Sequence, residues 1–185
     1  ARLEELVEDL ARFLAALHAI GAEAAGSLGA PADTLRRLDV RYRCAQSRQH
    51  LQELEQQGSV DAAPLLAVIA RIEEVSPHPV PTSLCHGDFH LGNILLANDG
   101  RVSGIIDWGD VHIGDPAVDL AIGWSFPAAP RQRFFETYGP ISETRMRLVQ
   151  LRALGHAAAL ALGALDQPDR ASVQCARDTP TRVAR

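Results

Sequence analysis

Leu3, Leu6, Val7, Leu10, Phe13, Leu14 and Leu17 recur at steps of three and four residues. That spacing lines one face of a helix and predicts an amphipathic first helix ending near residues 18–21. The Gly/Ala/Pro stretch 21–31 predicts a loop, and Asp33 is the expected cap of a second helix carrying Leu35, Leu38, Tyr42, Leu51 and Leu54. Asp61 is the expected N-cap of a third helix with Leu65, Leu66, Ile69, Ile72 and Val75, stopped by Pro77, Pro79 and Pro81. After the prolines the period changes. Residues 83–85 predict a short strand, and residues 93–97 and 102–106 predict a hairpin across the turn Asn98-Asp99-Gly100. Helical periodicity returns over 118–124, around 134–138, and in an alanine-rich helix over 142–165. The fold class predicted is α+β and mainly helical. A helical subregion spans 1–80, a hairpin segment 81–121, and the C-terminal helices 122–185.

Composition narrows the function classes. The 185 residues fit one domain on a prior of about 150 residues each, and the chain is long enough for a true core. With 46% hydrophobic and 22% charged residues it is neither disordered nor collagen-like. A net charge of −5 argues against nucleic acid as a partner. The longest apolar stretch, 153–165, is interrupted by His156 and falls short of the roughly 20 residues a membrane span needs, so no membrane association is expected. Glu4 and Glu5 stand where a signal peptide has a basic head and apolar core, so a cytoplasmic location is expected. Cys44, Cys85 and Cys175 are odd in number and widely spaced, as expected of reduced core thiols.

Candidate chemistry concentrates in His86-Gly87-Asp88-Phe89-His90-Leu91-Gly92-Asn93 and, beyond the hairpin, Ile105-Ile106-Asp107-Trp108-Gly109-Asp110. The two runs bracket a tight hairpin, so polar groups distant in sequence converge at one end of it. Two carboxylates and a carboxamide oxygen suit Mg²⁺, a hard cation held by a few oxygens plus substrate phosphates. A third, unligated carboxylate can take a proton from an attacking hydroxyl. Singly these residues are ordinary: Asp88 suits a turn, Asn93 a cap and Asp107 a solvated strand end. Their joint order around a hairpin is what points to phosphoryl transfer. His86 and His90 are four apart, but no glutamate follows His86 and the glycines oppose a helix, so zinc is not expected. Gly87 and Gly92 have P-loop spacing, yet Asn93 stands where the lysine belongs. Trp124, Phe126, Phe134 and Phe135 are expected in the core, and Asp110 and His112 are expected either to line the site or to sit on the surface.

The pattern His-x-Asp-x-x-x-x-Asn, hairpin, Ile-Asp-x-Gly resembles the catalytic and metal loops of protein-kinase-like enzymes. With Gly87, Asp107-Trp108-Gly109-Asp110 and Gly114-Asp115-Pro116-Ala117-Val118-Asp119-Leu120-Ala121, it looks like the aminoglycoside phosphotransferase family. The resemblance implies a small-molecule kinase fold of which this chain is the C-terminal lobe. It implies Asp88 as catalytic base, Asn93 and Asp107 as Mg²⁺ ligands, and ATP or GTP as phosphate donor. It also implies that His86 braces the loop and that Asp119 is a buried acceptor for the loop backbone; His90 and Asp110 are candidates for substrate contact or support. Gly87 stands where regulated protein kinases carry an arginine, which implies no activation-loop switch.

A kinase of this type also needs a lysine and a glycine-rich loop for the phosphates, and the chain contains neither. The resemblance assigns those parts to an N-terminal lobe, so weak nucleotide binding is expected of these residues alone. A lobe face left without its neighbour favours self-association or domain swapping. The expected acceptor is a small molecule, antibiotic-like. Strong acidity is absent after Met146, where Asp166, Asp169 and Asp178 are offset by arginines, which tilts the expectation toward macrolides over aminoglycosides. Metabolite kinases of choline, homoserine or fructosamine, and a non-catalytic binding or oligomerising module, are the alternatives.

Overall fold

The computed structural model describes residues 2–75, 77–163, 179, 182 and 183. Helix α1 (Arg2–His18) follows the predicted stripe, burying Val7, Leu10, Leu14 and Leu17. Short α2 (Ala22–Ser27) occupies the stretch expected to be a loop, because its Ala-Glu-Ala-Ala run favours helix despite the flanking glycines. Helix α3 (Val40–Gln56) starts later than expected. Asp39 is its cap, accepting the Tyr42 amide, while Asp33 folds a separate turn by accepting the amides of Leu35 and Arg37. Consequently Leu35 lies outside the helix and is exposed. Helix α4 (Ala63–Val75) follows Asp61, which accepts the Ala63 amide.

Four short strands form two antiparallel pairs. Strand β1 (Ser83–Cys85) pairs with β4 (His112–Gly114), and β2 (Ile94–Leu96) pairs with β3 (Val102–Ile105) in the expected hairpin. Strand β4 was not expected: three residues containing a histidine and a glycine carry almost no periodic signal, and pairing with β1 and with the Pro31–Ala32 backbone defines them. Helix α5 (Ala117–Leu120) runs into a 3-10 turn, Ala121–Ser125, followed by α6 (Ala128–Tyr138) and α7 (Glu143–Gly163). The Ser142 hydroxyl accepts the Arg145 amide at the start of α7. Residues 164 and 165 of the predicted last helix, Cys175, and Asp166, Asp169 and Asp178 lie outside the described residues.

The fold is mainly helical, with α1 against α6, α3 against α7 and α4, and α5 against α7. Leu10, Leu14, Leu51, Ile69, Leu120, Phe134 and Leu154 are fully or almost fully buried in one continuous core. Trp124, Phe126 and Phe134 are buried there as expected. Cys44 and Cys85 are buried free thiols whose pKa values are pushed up by burial, that of Cys44 to about 11, so neither is a ready nucleophile. Among the described residues no helix is long and apolar enough to cross a membrane.

Phe134 touches Phe126 and Phe135, with ring centroids 6.3 and 5.2 Å away, at the joint between α6 and the 3-10 turn. Phe134→Ala is expected to cost roughly 3–5 kcal/mol of unfolding free energy, measured by urea denaturation.

Candidate active site

The two loops singled out by the sequence do converge at one end of the β2–β3 hairpin. The first lies between β1 and β2, the second between β3 and β4. They are stitched through Ile106, whose amide donates to the Asn93 carbonyl at 3.0 Å and whose carbonyl accepts from His86 Nε2 at 3.0 Å. With Nε2 donating, Nδ1 of His86 accepts the Asp88 amide at 3.3 Å, so one neutral imidazole braces both loops. The ring is fully buried and lies 4.7 Å from the Trp108 ring and 5.6 Å from that of Phe89. Phe13 of α1 stacks on Phe89 at 5.8 Å, fixing the cluster to the first helix. This geometry ties the two loops together through one side chain.

Asp119, on α5, is fully buried. Its oxygens accept the amides of His86 at 2.7 Å and Gly87 at 2.9 Å, and a third donor, His18 Nε2, lies at 3.2 Å. His18 Nδ1 lies 3.0 Å from the Tyr138 hydroxyl, extending the network to α6. The Cys85 thiol shares this cluster, all within 4.8 Å of one another. With three donors already on the carboxylate and the thiol pushed up by burial, the cluster is a hydrogen-bonded anchor and a poor metal cage.

Gly87 has φ +88°, and a Cβ there would lie 2.2 Å from the Asp110 carbonyl oxygen. Only glycine fits where the two loops approach so closely. Arg37, from the turn before α3, reinforces the contact: it donates to the Gly87 carbonyl at 3.1 Å and pairs with Asp110 at 2.9 Å and Asp33 at 2.6 Å. Asp110 is thereby tied to the loop framework, and His112 is buried with Nδ1 2.9 Å from the Asp110 carbonyl oxygen. Neither is a free surface group.

Asp88 is partly exposed at the rim of a small cavity of about 60 Å³, lined on its apolar side by Val118, Ile122, Ala153, Ala157 and Leu160. His90 accepts the Gly92 amide on Nδ1, leaving Nε2 to face the Asp88 carboxylate at 3.4 Å. The hydrogen bond from His90 lowers the Asp88 pKa to about 2, against a desolvation that raises it, with smaller help from the charges of His90, His156 and Arg152. Asp88 is therefore ionised at neutral pH. Asn93 is buried, with Nδ2 donating to the Asp88 carbonyl at 3.0 Å, so its amide orientation leaves Oδ1 as the oxygen available to a cation. Asp107 adopts a left-handed conformation, φ 64° and ψ 63°, that turns the chain straight from β3 into the 3-10 turn Trp108–Asp110. An exposed carboxylate directly after Ile106 and an amide oxygen on Asn93 make an all-oxygen donor set that fits Mg²⁺.

Sequence reasoning missed Arg37, Arg152 and His156. Arg152 and His156 are four apart on α7 and meet the same cavity as Asp88. The signal was that Arg152 borders, and His156 interrupts, the longest apolar stretch of the sequence. Arg37 gave none, since it sits in a turn beside another arginine.

Residues 1–149 match the model of the phosphotransferase enzyme family, and the chain belongs to that family. It is 30% identical over 149 residues to an aminoglycoside 3'-phosphotransferase of Escherichia coli, covering 74% of this chain and 50% of that protein. The chain spans about half the length of such relatives. Among solved structures, the GDP complex of wild-type aminoglycoside 2'-phosphotransferase-IIIa has the same fold, with a TM-score of 0.59, 21% identity, and 98% of this chain and 62% of that one covered. Macrolide 2'-phosphotransferase type I gives 0.57, 24% identity, and 94% and 58% coverage.

The His90–Asp88 contact makes a titration prediction. A folded pKa of about 2 lies below the ordinary 3.8, so the stabilisation from ionised Asp88 is present above about pH 4 and is lost as pH falls through about 2. Carboxyl-carbon NMR should find that low value, and His90→Leu should move it up toward 3.8.

Proposed function

We propose that the protein carrying this chain is an O-phosphotransferase that moves the γ-phosphate of ATP or GTP onto a hydroxyl of an antibiotic-like small molecule, an aminoglycoside or macrolide. The observation that carries this reading is Asp88, an ionised carboxylate at a cavity rim on a loop whose backbone Asp119 holds. Asp88 accepts the proton of the acceptor hydroxyl as that oxygen attacks the γ-phosphorus. His90 keeps the carboxylate charged and aimed. Asn93 and Asp107 would hold Mg²⁺, which would supply charge neutralisation on the transferring phosphates. His86 and Asp119 keep the loops in register and take no part in proton transfer. The apolar wall from α5, the 3-10 turn and α7 receives the body of the acceptor.

The relatives named for aminoglycoside and macrolide phosphotransfer support the acceptor class, and the one solved with GDP supports a nucleotide donor. The chain itself has no lysine for the phosphates. We assign these residues to the C-terminal lobe, with the exposed Leu95, Leu96, Ile106 and Trp108 at the hairpin as the face toward the nucleotide-holding lobe or, without it, a second copy. A metabolite acceptor is the second reading. It is favoured by Arg152 beside Asp88, a positive charge in the lining that opposes a polycation.

In the complete protein, Asp88→Ala is expected to lower turnover roughly 10²–10⁴-fold, measured as nucleoside-diphosphate release with ATP and GTP across aminoglycosides, macrolides and small amino alcohols. Undiminished activity would favour a binding or oligomerising role and a different base.

A further inference from the structure

A second cavity, of about 150 Å³, lies between α3 and α7 behind the Asp88 loop. Among the described residues its polar lining is Arg37, Arg43, Gln46, His50, Arg152 and His156, without a carboxylate. Arg152 and His156 also face the Asp88 cavity, so they form the partition between the two. Arg37 is neutralised by Asp33 and Asp110. The other two arginines are not matched in this way. Arg43 donates only to the carbonyls of Leu35 and Arg36 and to the Gln46 side chain. Arg152 makes one long bond, 3.4 Å to the Gly87 carbonyl, and stays 4.0 Å from Asp88.

Burial holds the Arg152 pKa below its ordinary value, the Asp88 carboxylate opposes that shift, and the nearby charges of Arg43 and Arg37 add to it. Two ring nitrogens of these lining residues, His50 Nδ1 and His156 Nε2, are shielded from solvent and have no hydrogen-bond partner among the described residues. Arg152, with one long hydrogen bond and a carboxylate 4.0 Å away, keeps N–H donors free beside the His50 and His156 rings, an arrangement that favours an anion. The room suffices for a carboxylate or phosphate group.

We propose that the α3–α7 cavity is an oxyanion site, holding a carboxylate or phosphate group on Arg152, Arg43 and the rings of His50 and His156. Its position behind Asp88 makes the acceptor the natural source: a small molecule whose reacting hydroxyl lies at Asp88 and whose acidic group reaches past Arg152. This source rests on the phosphotransferase reading above; a free inorganic anion that occupies the site and fixes Arg152 does not.

The test is a titration of the complete protein with inorganic phosphate, against chloride at equal ionic strength, followed by ¹⁵N–¹H spectra of arginine Nε–H groups and histidine rings. Saturable shifts at Arg152, Arg43, His50 and His156 are expected. In His50→Leu they should need about tenfold more phosphate, the loss of one hydrogen bond to a charged partner. Arg133→Gln, on the outer face of α6, should change nothing, and thermal melting checks that each variant is folded. No saturable shift at these groups, or shifts untouched by a folded His50→Leu, overturns the site.

A second arm compares acceptors that differ only in a carboxylate or phosphate against its neutral amide or alcohol. A KM at least about tenfold lower for the acidic member, lost in His50→Leu, assigns the oxyanion to the acceptor. Phosphate binding with no such preference assigns it to a free anion. The titration requires no turnover, so its failure is distinguishable from failure of the kinase reading, which rests on Asp88→Ala.

Discussion

A carboxylate removed from water must be met by donors, or it takes up a proton or unfolds its surroundings. Asp119 is met by three, and two of them are consecutive backbone amides of the loop that carries Asp88. Fixing the amides of His86 and Gly87 fixes the peptide planes that lead into Asp88, so one buried charge sets the direction of the candidate base. The network does not stop at the carboxylate. His18 at the end of α1 and Tyr138 at the end of α6 close it, so the helix pair α1–α6 positions the loop through hydrogen bonds as well as packing.

The second loop depends on the first. Gly87 admits the Asp110 carbonyl at a distance no side chain allows, and Arg37 then clasps both loops. His86 and Asn93 hold Ile106 from its two sides, and Asp107 follows directly. The site is thus a set of short backbone contacts locked by a few buried polar groups. Arg37 and Arg152 converge on a single acceptor, the Gly87 carbonyl, from the α3 and α7 sides. The oxyanion cavity lies where those two sides meet, so a bound anion there acts on the same carbonyl and on the Asp88 loop.

Most long elements were legible because their apolar stripes have the right period: α1, α3, α4 and α7 follow from burial on one face, whereas α6 buries Phe134 alone. The hairpin was legible from its Asn-Asp-Gly turn. The start of α3 was not, since Asp33 and Asp39 are equally good caps in sequence and only the contacts of Arg37 settle which one turns the chain. Strand β4 was invisible because three residues owe their conformation to backbone distant in sequence, β1 on one side and Pro31–Ala32 on the other. Asp88, Asn93 and Asp107 stood out by order, and His86 and Asp119 by resemblance to a known loop. Arg152 and His156 showed only as a polar border and a polar break of an apolar stretch, and Arg37 not at all, because their partners are backbone carbonyls and cavity walls that no spacing records.

The dependence of the loop on Asp119 is tested most directly by amide hydrogen exchange in the parent and in Asp119→Asn, residue by residue. If the account is right, His86 and Gly87 amides are strongly protected in the parent. In the variant they lose far more protection than amides of α3, whose hydrogen bonds do not involve Asp119. Equal loss everywhere, or unchanged protection at His86 and Gly87, would contradict it.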